Sequence, residues 1–453
     1  VSRRVAAEAI ASAGIEGSQL DAIGIANQRE TVVVWDPRSG EPLHRALVWQ
    51  DRRTAGRCAE LREAGHEPLV RERTGLVIDP YFSATKIEWL LGNAEGMGQA
   101  VFGTVDSWLL YKLTGRHATD YTNASRTMLF DIRRCAWDEE LCALLGIDPA
   151  RLPEALPSAH VYGTTAEFGG EVPVAGIGGD QQAALFGQAC LEAGSAKNTY
   201  GTGSFVLLNT GPEPPDPVPG LLTTIAATPG RRDEITGPDG DFGPSAVDYA
   251  LEASIFVTGA AVQWLRDGLG MIESAAESEE LAASLDDNGG VYFVPALTGL
   301  GSPHWDPYAR GTIVGLTRGS TRAHLARAAL EAIAFQTADA VRAQEAASKS
   351  ARLTLLKADG GAVANRWLMQ FQADVLGCEV VVPEIAETTA LGAAYLAGVA
   401  SGCWELDQIA EMWRESTRYE PAMGDGERAA LLASWHRALE RSKAWVEPVA
   451  ESA

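Results

Sequence analysis

Gly176-Ile177-Gly178-Gly179-Asp180-Gln181-Gln182, followed by Asn198-Thr199-Tyr200-Gly201-Thr202-Gly203-Ser204, sets a carboxylate at the end of an apolar strand and a glycine-rich hydroxyl loop just downstream. The carboxylate of Asp180 is placed to take a proton from a hydroxyl nucleophile. The loop offers backbone N–H groups and the Thr202 hydroxyl to a transferable phosphate. Together they point to ATP-dependent phosphorylation of an alcohol. Each half also has a plainer reading: Asp180 as a helix cap, and Gly201 to Ser204 as a hairpin turn.

Outward from this stretch, Val172 to Gly178 reads as a strand and Gln181 to Leu191 as a helix, and a domain boundary is expected near residue 190. Upstream, Val5 to Ala13 has the pattern of a helix and Leu20 to Ala26 that of a strand. Thr31 to Trp35 and Ala46 to Trp49 read as a hairpin around Asp36-Pro37-Arg38-Ser39-Gly40. Helices are expected over 53–64, 84–92 and 104–113, and after the cap Asp138 as far as Gly146. Downstream, strands are expected around Thr199 and over Phe205–Asn209, and Gly211 to Gly243 reads as loop. A long helix after Thr321 buries Ala326, Leu330, Ile333, Ala334 and Val341, and a strand over Leu353–Lys357 meets a turn at Asp359-Gly360-Gly361 before Asn365 opens a helix. Strand, glycine turn and helix recur in both halves, which implies an α/β protein of two related lobes.

Other constellations carry chemistry of their own. Arg29-Glu30 follows the first strand; an Arg fork donating to neighbouring hydroxyls beside an accepting Glu suits a small polyol, and a surface ion pair is the alternative. Trp49, Tyr121 and Phe205 are either an apolar wall for a three-carbon chain or ordinary core. Gly360, Gly361 and Asn365 form a strand-to-helix turn that would admit a nucleotide closely, or a helix start with an incidental Asn. No G-x-x-x-x-G-K-[ST] sequence is present, which excludes the usual P-loop NTPase.

Composition narrows the classes. The 453 residues call for two domains, and 46% hydrophobic with 21% charged residues supply their cores. A net charge of −23 argues against nucleic-acid or anionic-membrane partners, so an anionic nucleotide must be held locally by backbone amides, a few cations and a divalent metal. The six cysteines, without C-x-x-C spacing, read as reduced core residues of a cytoplasmic protein. The seven histidines form no metal-binding unit, and neither a signal sequence nor a membrane span is expected.

The stretches 27–31, 46–54 (ALVWQDRRT), 75–86 (GLVIDPYFSATK), 119–127 (TDYTNASRT), 176–188 (GIGGDQQAALFGQ), 196–203 (AKNTYGTG), 295–319 and 359–365 occur in order along nearly the whole chain. In that ordered set the chain resembles the FGGY sugar kinases, which have the actin-like ATPase fold, and among them the glycerol kinases. The resemblance implies two actin-like (ribonuclease H-like) α/β lobes with a cleft between them. The lobes would be a polyol-binding N-terminal one over 1–188 and a nucleotide-binding C-terminal one over 189–453. It implies transfer of the ATP γ-phosphate to glycerol, giving sn-glycerol 3-phosphate, with Mg²⁺ as cofactor, and leaves a homo-oligomer open. By the same resemblance Arg29, Glu30, Tyr121, Asp180 and Gln181 bind glycerol, Trp49 and Phe205 wall it, and Asp180 is catalytic base and metal neighbour. Gly201 and Thr202 face the phosphates, and Gly259, Gln263, Gly361 and Asn365 line the rest of the ATP site.

Two departures qualify the expectation. Members of the family begin with a hairpin carrying D-Q-G-T-T, and nothing like it precedes Leu20. Roughly fifty residues are thus expected to be missing from the first lobe, and Val1 in place of Met points to a start upstream. The chain as it stands is expected to be poorly stable and inactive, the remaining sheet exposing an edge. The glycine-rich basic loop that binds a sugar bisphosphate in some bacterial members corresponds here to the short, acidic Thr165-Ala166-Glu167-Phe168-Gly169-Gly170-Glu171, so inhibition of that type is not expected. The alternatives are a kinase for another small sugar or polyol, and a non-catalytic remnant binding polyol or nucleotide.

Overall fold

In the computed structural model, residues 2–227, 247–348 and 352–447 are described. The first sheet has three strands, β1 (Ile23–Asn27), β2 (Ala159–Thr165) and β3 (Val172–Gly179), in the order β1-β3-β2. β1 runs parallel to β3, with Ala26 opposite Gly178 and Asn27 opposite Gly179. This register decides the site, because Arg29 and Asp180 then leave the sheet from the same end. β3 is covered on both faces, which is why its sequence is a continuous apolar run rather than an alternation.

The second sheet has seven strands: β4 (Ser195–Tyr200), β5 (Ser204–Gly211), β6 (Leu222–Ile225), β7 (Tyr249–Ile255), β8 (Leu355–Asp359), β9 (Glu379–Pro383) and β10 (Glu415–Tyr419), in the order β6-β7-β5-β4-β8-β9-β10. β4 and β5 form a hairpin whose turn is Gly201 to Gly203, and β4 is parallel to β8. The functional glycine turns after β4 and β8 therefore lie at the same end of neighbouring strands.

Among the helices of the described residues, six bear on the site: α1 (Asp180–Gly187), α2 (Gly259–Gln263), α3 (Arg322–Ala347), α4 (Arg366–Leu376), α5 (Thr388–Ser401) and α6 (Asp425–Ser442). α3 buries Ala326, Leu330, Ile333, Ala334 and Val341, as its periodicity requires, and Phe335 stacks on Trp435 of α6 at 5.4 Å between ring centroids. Leu330, Ile333, Val341 and Phe335, each removed from water, contribute roughly 1.5–3 kcal/mol apiece. α5 comes in sequence between β9 and β10 of the second sheet, yet it lies against β1, β2, β3 and α1 of the first. A separate core forms under the first half from Val32, Val34, Leu47, Phe82 and Phe102.

Several expectations need correction. The hairpin of 31–35 with 46–49 is reduced to isolated bridges, Val32 to Leu47 and Trp35 to Pro42; the strand Val33–Trp35 pairs instead with Val101–Gly103, where Phe102 closes the core. The loop expected over 211–243 contains β6, whose four residues are all buried against β7; its remainder from 228 lies outside the described residues. The helix expected to reach Leu191 ends at Gly187. Of the cysteines, Cys58, Cys142 and Cys190 are buried, Cys135 and Cys378 are half-buried and Cys403 is exposed; all six are unpaired. Among the described residues, no helix is long and apolar enough to cross a membrane.

Candidate active site

At the end of β1, Asn27 exchanges side-chain hydrogen bonds with Asn123: its Nδ2 donates to Asn123 Oδ1 at 2.9 Å, and Asn123 Nδ2 donates back at 3.1 Å. Asp120 caps the turn Tyr121–Ala124, accepting from the Asn123 and Thr122 N–H groups. Thr122 Oγ1 in turn accepts from Gly179 N–H at 2.8 Å. One small polar turn thus bolts together the ends of β1 and β3, and Tyr121 comes with it, packed on Phe130 at 5.8 Å.

Beyond that junction the chain bends. Glu30 has φ of +63°, in the left-handed region that a non-glycine residue enters only under constraint, and Ser83 Oγ donates to its carbonyl. The bend turns Arg29 and Glu30 inward, to 3% and 1% exposure, so the surface ion-pair reading is excluded. Arg29 lies across Gly179, where a Cβ would stand 2.7 Å from its Cδ; the glycine is needed for that close approach.

Arg29 is the hub of a buried charge cluster. Its Nη1 donates to Glu252 Oε2 at 2.5 Å and to Gln182 Oε1 at 3.1 Å, its Nη2 donates to Glu252 Oε1 at 3.2 Å, and its Nε stands 3.2 Å from Asp180 Oδ1. Arg126 Nε donates to Glu30 Oε1 at 2.8 Å and Arg126 Nη2 to Glu252 Oε1 at 3.0 Å. Burial alone would raise the Glu252 carboxyl, but Arg126 and Arg29 outweigh it and hold it at about 2. At Glu30 burial is the stronger effect and pushes the carboxyl up against the two arginines. Arg126 Nη1 is buried with no protein partner, which leaves a donor in the cluster to be satisfied.

Asp180 is the member of this group that reaches solvent, its side chain 36% exposed. It is not a side-chain cap, since Gly179 holds that position and Asp180 is the first residue of α1. Its neighbour Gln181 is buried, with its Oε1 accepting from Lys197 Nζ, which also donates to Thr199 Oγ1 at 2.9 Å. Burial lowers Lys197 to about 8, against the pull of Asp359 and Asp180. Around the cluster stand aromatic rings: Phe205 with its centroid 6.0 Å from Arg29 Cζ, Tyr81 at 5.8 Å from Arg126 Cζ, and Trp49 edge-on to Tyr81 at 5.6 Å. The seven polyol-site candidates, Arg29, Glu30, Trp49, Tyr121, Asp180, Gln181 and Phe205, are therefore drawn to one region.

The second group gathers around a cavity of about 350 Å³, whose wall includes Gly201, Thr202, Gly259, Gln263, Gly361 and Asn365. Gly201 and Thr202 are held there by the segment before α2: Thr258 N–H donates to Thr202 O at 2.9 Å and Gly259 N–H to Gly201 O at 3.0 Å. Gly201 N–H is used inside the turn, donating to Gly203 O at 2.8 Å, while Thr202 stands exposed at its tip. Asn365 Oδ1 accepts from Leu368 N–H at 2.9 Å and so caps α4. The helix-start reading holds for that oxygen, and the cap fixes the amide beside the cavity.

The chain matches the FGGY family of carbohydrate kinases twice, the N-terminal domain over residues 2–187 and the C-terminal domain over 196–401. It belongs to that family. A glycerol kinase of Trichlorobacter lovleyi is 55% identical over 98% of this chain and 89% of its own length, and glycerol kinase 2 of Thermotoga maritima is 55% identical over 97% and 88%. The crystal structure of Plasmodium falciparum glycerol kinase with ADP superposes with a TM-score of 0.88 at 35% identity, covering 97% of this chain and 88% of that one. The two-lobed actin-like α/β architecture of the FGGY kinases is thus the fold of this chain.

Within this FGGY kinase, reading the sequence missed Glu252, Arg126, Gln182, Lys197 and Tyr81. Glu252 had a local signal, a lone carboxylate inside the apolar strand Tyr249-Ala250-Leu251-Glu252-Ala253-Ser254-Ile255, where only pairing makes a charge tolerable. Lys197 and Arg126 had the same kind of signal, single cations among small polar residues that turn out wholly buried.

Proposed function

We propose that this chain is an ATP:glycerol 3-phosphotransferase, converting glycerol and ATP to sn-glycerol 3-phosphate and ADP in the cytoplasm. The observation that carries the reading is the solvent-reaching Asp180 carboxylate beside a buried Arg29-Glu30 pair, with Phe205 of the hairpin that carries Thr202 standing 6.0 Å from Arg29 Cζ. A polyol held there has few polar groups to meet, since most of the Arg29 N–H groups are engaged by protein acceptors; a short triol fits that supply better than a long sugar. The aromatic rings of Trp49, Tyr81 and Phe205 give its carbon chain an apolar wall.

In this reading a glycerol hydroxyl donates its proton to Asp180 as it attacks phosphorus. The Thr202 hydroxyl and the turn around it hold the phosphates, and Gly259, Gln263, Gly361 and Asn365 line the space for the rest of the nucleotide. Asp180 is an oxygen ligand of the kind that Mg²⁺ takes in ones and twos alongside phosphate and water, so the residues present fit the ion. Bound there, Mg²⁺ would neutralise charge on the transferring phosphate.

The test is ADP release with Mg-ATP across a panel of polyols and sugars, with the product's regiochemistry established. Glycerol as the best substrate supports the reading. A preference for a pentulose or a sugar acid, or nucleotide binding without any polyol-dependent ADP release, overturns it.

A further inference from the structure

Glu252 belongs to the half of the chain that matches the C-terminal domain, yet both oxygens of its carboxylate are engaged by arginines of the other half. Oε2 accepts from Arg29 Nη1 at 2.5 Å, and Oε1 accepts from Arg29 Nη2 at 3.2 Å and Arg126 Nη2 at 3.0 Å. The side chain has no exposure, and its strand neighbours in register are Leu207 on β5 and Leu222 on β6. It therefore does not reach a substrate itself. What it does reach is the fork of Arg29. Of the five N–H groups on that guanidinium, Nε faces Asp180, both Nη1 hydrogens meet Glu252 and Gln182, and one Nη2 hydrogen meets Glu252. A single Nη2 donor remains, and Glu252 fixes where it points.

The same stretch of backbone continues from β7 to the wall of the nucleotide cavity. Thr258 and Gly259 grip the Gly201-Thr202 turn through backbone hydrogen bonds, and Gly259 and Gln263 line the cavity. One segment, 252–263, thus holds the Arg29 donor at its start and the nucleotide wall at its end.

We infer that Glu252 is a positioning residue that couples the two substrates: it aims Arg29 at the polyol and ties that aim to the place of the nucleotide-facing segment. The inference rests on the reading of Arg29 as a glycerol ligand. It predicts that nucleotide strengthens glycerol binding through Glu252, with each substrate reciprocally favouring the other.

The experiment uses the full chain as wild type, Glu252→Gln and Glu252→Asp. It measures kcat, glycerol KM, glycerol affinity with and without ADP, ADP affinity without glycerol, and Tm. The Gln variant is expected to raise glycerol KM at least about tenfold and to abolish the effect of ADP on glycerol affinity. Its ADP affinity is expected to stay within about twofold of wild type. Aspartate keeps the charge but loses reach, and is expected to recover part of the KM.

A Gln variant with wild-type glycerol KM and intact coupling overturns the inference, as does a parallel loss of ADP affinity, which marks a merely structural role. Wild-type glycerol affinity indifferent to ADP also overturns it. Should the Gln variant fail to fold, Glu252→Asp decides: an unchanged KM and coupling refute the role. Wild type that binds ADP but neither binds nor phosphorylates glycerol overturns the substrate reading and this inference together, whereas wild-type glycerol binding with an unaffected variant removes only the role of Glu252.

Discussion

Asp180 and Glu252 carry like charges a few side chains apart, and the structure gives them opposite settings: one reaches solvent, the other is sealed between two guanidiniums. Asp180→Asn keeps the shape and the Arg29 contact while removing the proposed base. It is expected to lower kcat by about 10²–10⁴-fold with little change in glycerol KM, as read from steady-state ADP release. Glu252 makes a prediction in stability. Its folded pKa, about 2, lies below the ordinary 4.5, so its contribution is present above the unfolded value and is lost as pH falls from about 4.5 towards 2. At neutral pH it is on the order of 3 kcal/mol. Burial moves Glu30 the other way, so the quantity to follow is the difference in urea midpoint between wild type and Glu252→Gln, which should shrink between pH 5 and pH 3. A difference that is flat over that range would refute the assignment. At this scale Asp180 was legible, because a carboxylate between glycine and glutamine at a strand end is conspicuous. The inward bend at Glu30 was not, because its positive φ is imposed by neighbours distant in sequence.

Among the elements, α5 and α1 approach so closely that side chains are excluded from their contact. A Cβ on Gly392 would collide with the Ala183 carbonyl and stand 2.9 Å from Gly187 N. Gly392→Ala is therefore expected to push α5 away from the helix that begins with Asp180. The expected cost is about 1–3 kcal/mol of stability, seen as a lower Tm, with kcat falling as well. A variant that keeps both would show that the helices have room to shift. The packing of α6 on α3 makes a second test. Asp339, on α3, accepts from Trp435 Nε1 and His436 Nε2, both at 2.7 Å. Asp339→Ala leaves the buried indole N–H unpaired and is expected to cost about 1–3 kcal/mol. The hydrogen bond that His436 donates to Asp339 raises His436 above its ordinary 6.5; that part of the stability is present below pH 6.5 and is lost as pH rises through the raised value. A pH-stability profile of His436→Ala should lack this slope. Periodicity foretold α3 and its buried face. It could not foretell β6, since a four-residue strand among prolines and glycines is defined by its partner β7 rather than by its own pattern.

At the scale of the molecule, neither half closes without the other. α5 completes the burial of the first sheet, and Glu252 neutralises Arg29 and Arg126 from the second. A fragment of residues 1–190 would keep both arginines and lose their partner, and it would uncover the face on which α5 lies. It is expected to show no cooperative thermal transition by circular dichroism, while the whole chain does; a sigmoidal melt for the fragment would refute this mutual dependence.

The sequence by itself determined the α/β class, the strand-turn-helix units and the carboxylate at the end of β3, while Gly259 and Gln263 of the second cavity's wall came only from the resemblance to the FGGY kinases. These are local matters: a period of burial, a glycine where the chain must turn, a cap before a helix. Only the tertiary structure decided that Arg29 is buried rather than at the surface, that Arg126, Glu252 and Lys197 surround the site, and that α5 crosses to the first sheet. A buried charge is tolerable only when its counter-charge arrives in space. Here the counter-charge arrives from more than two hundred residues away, at a separation of 223 between Arg29 and Glu252, and no local pattern records that distance.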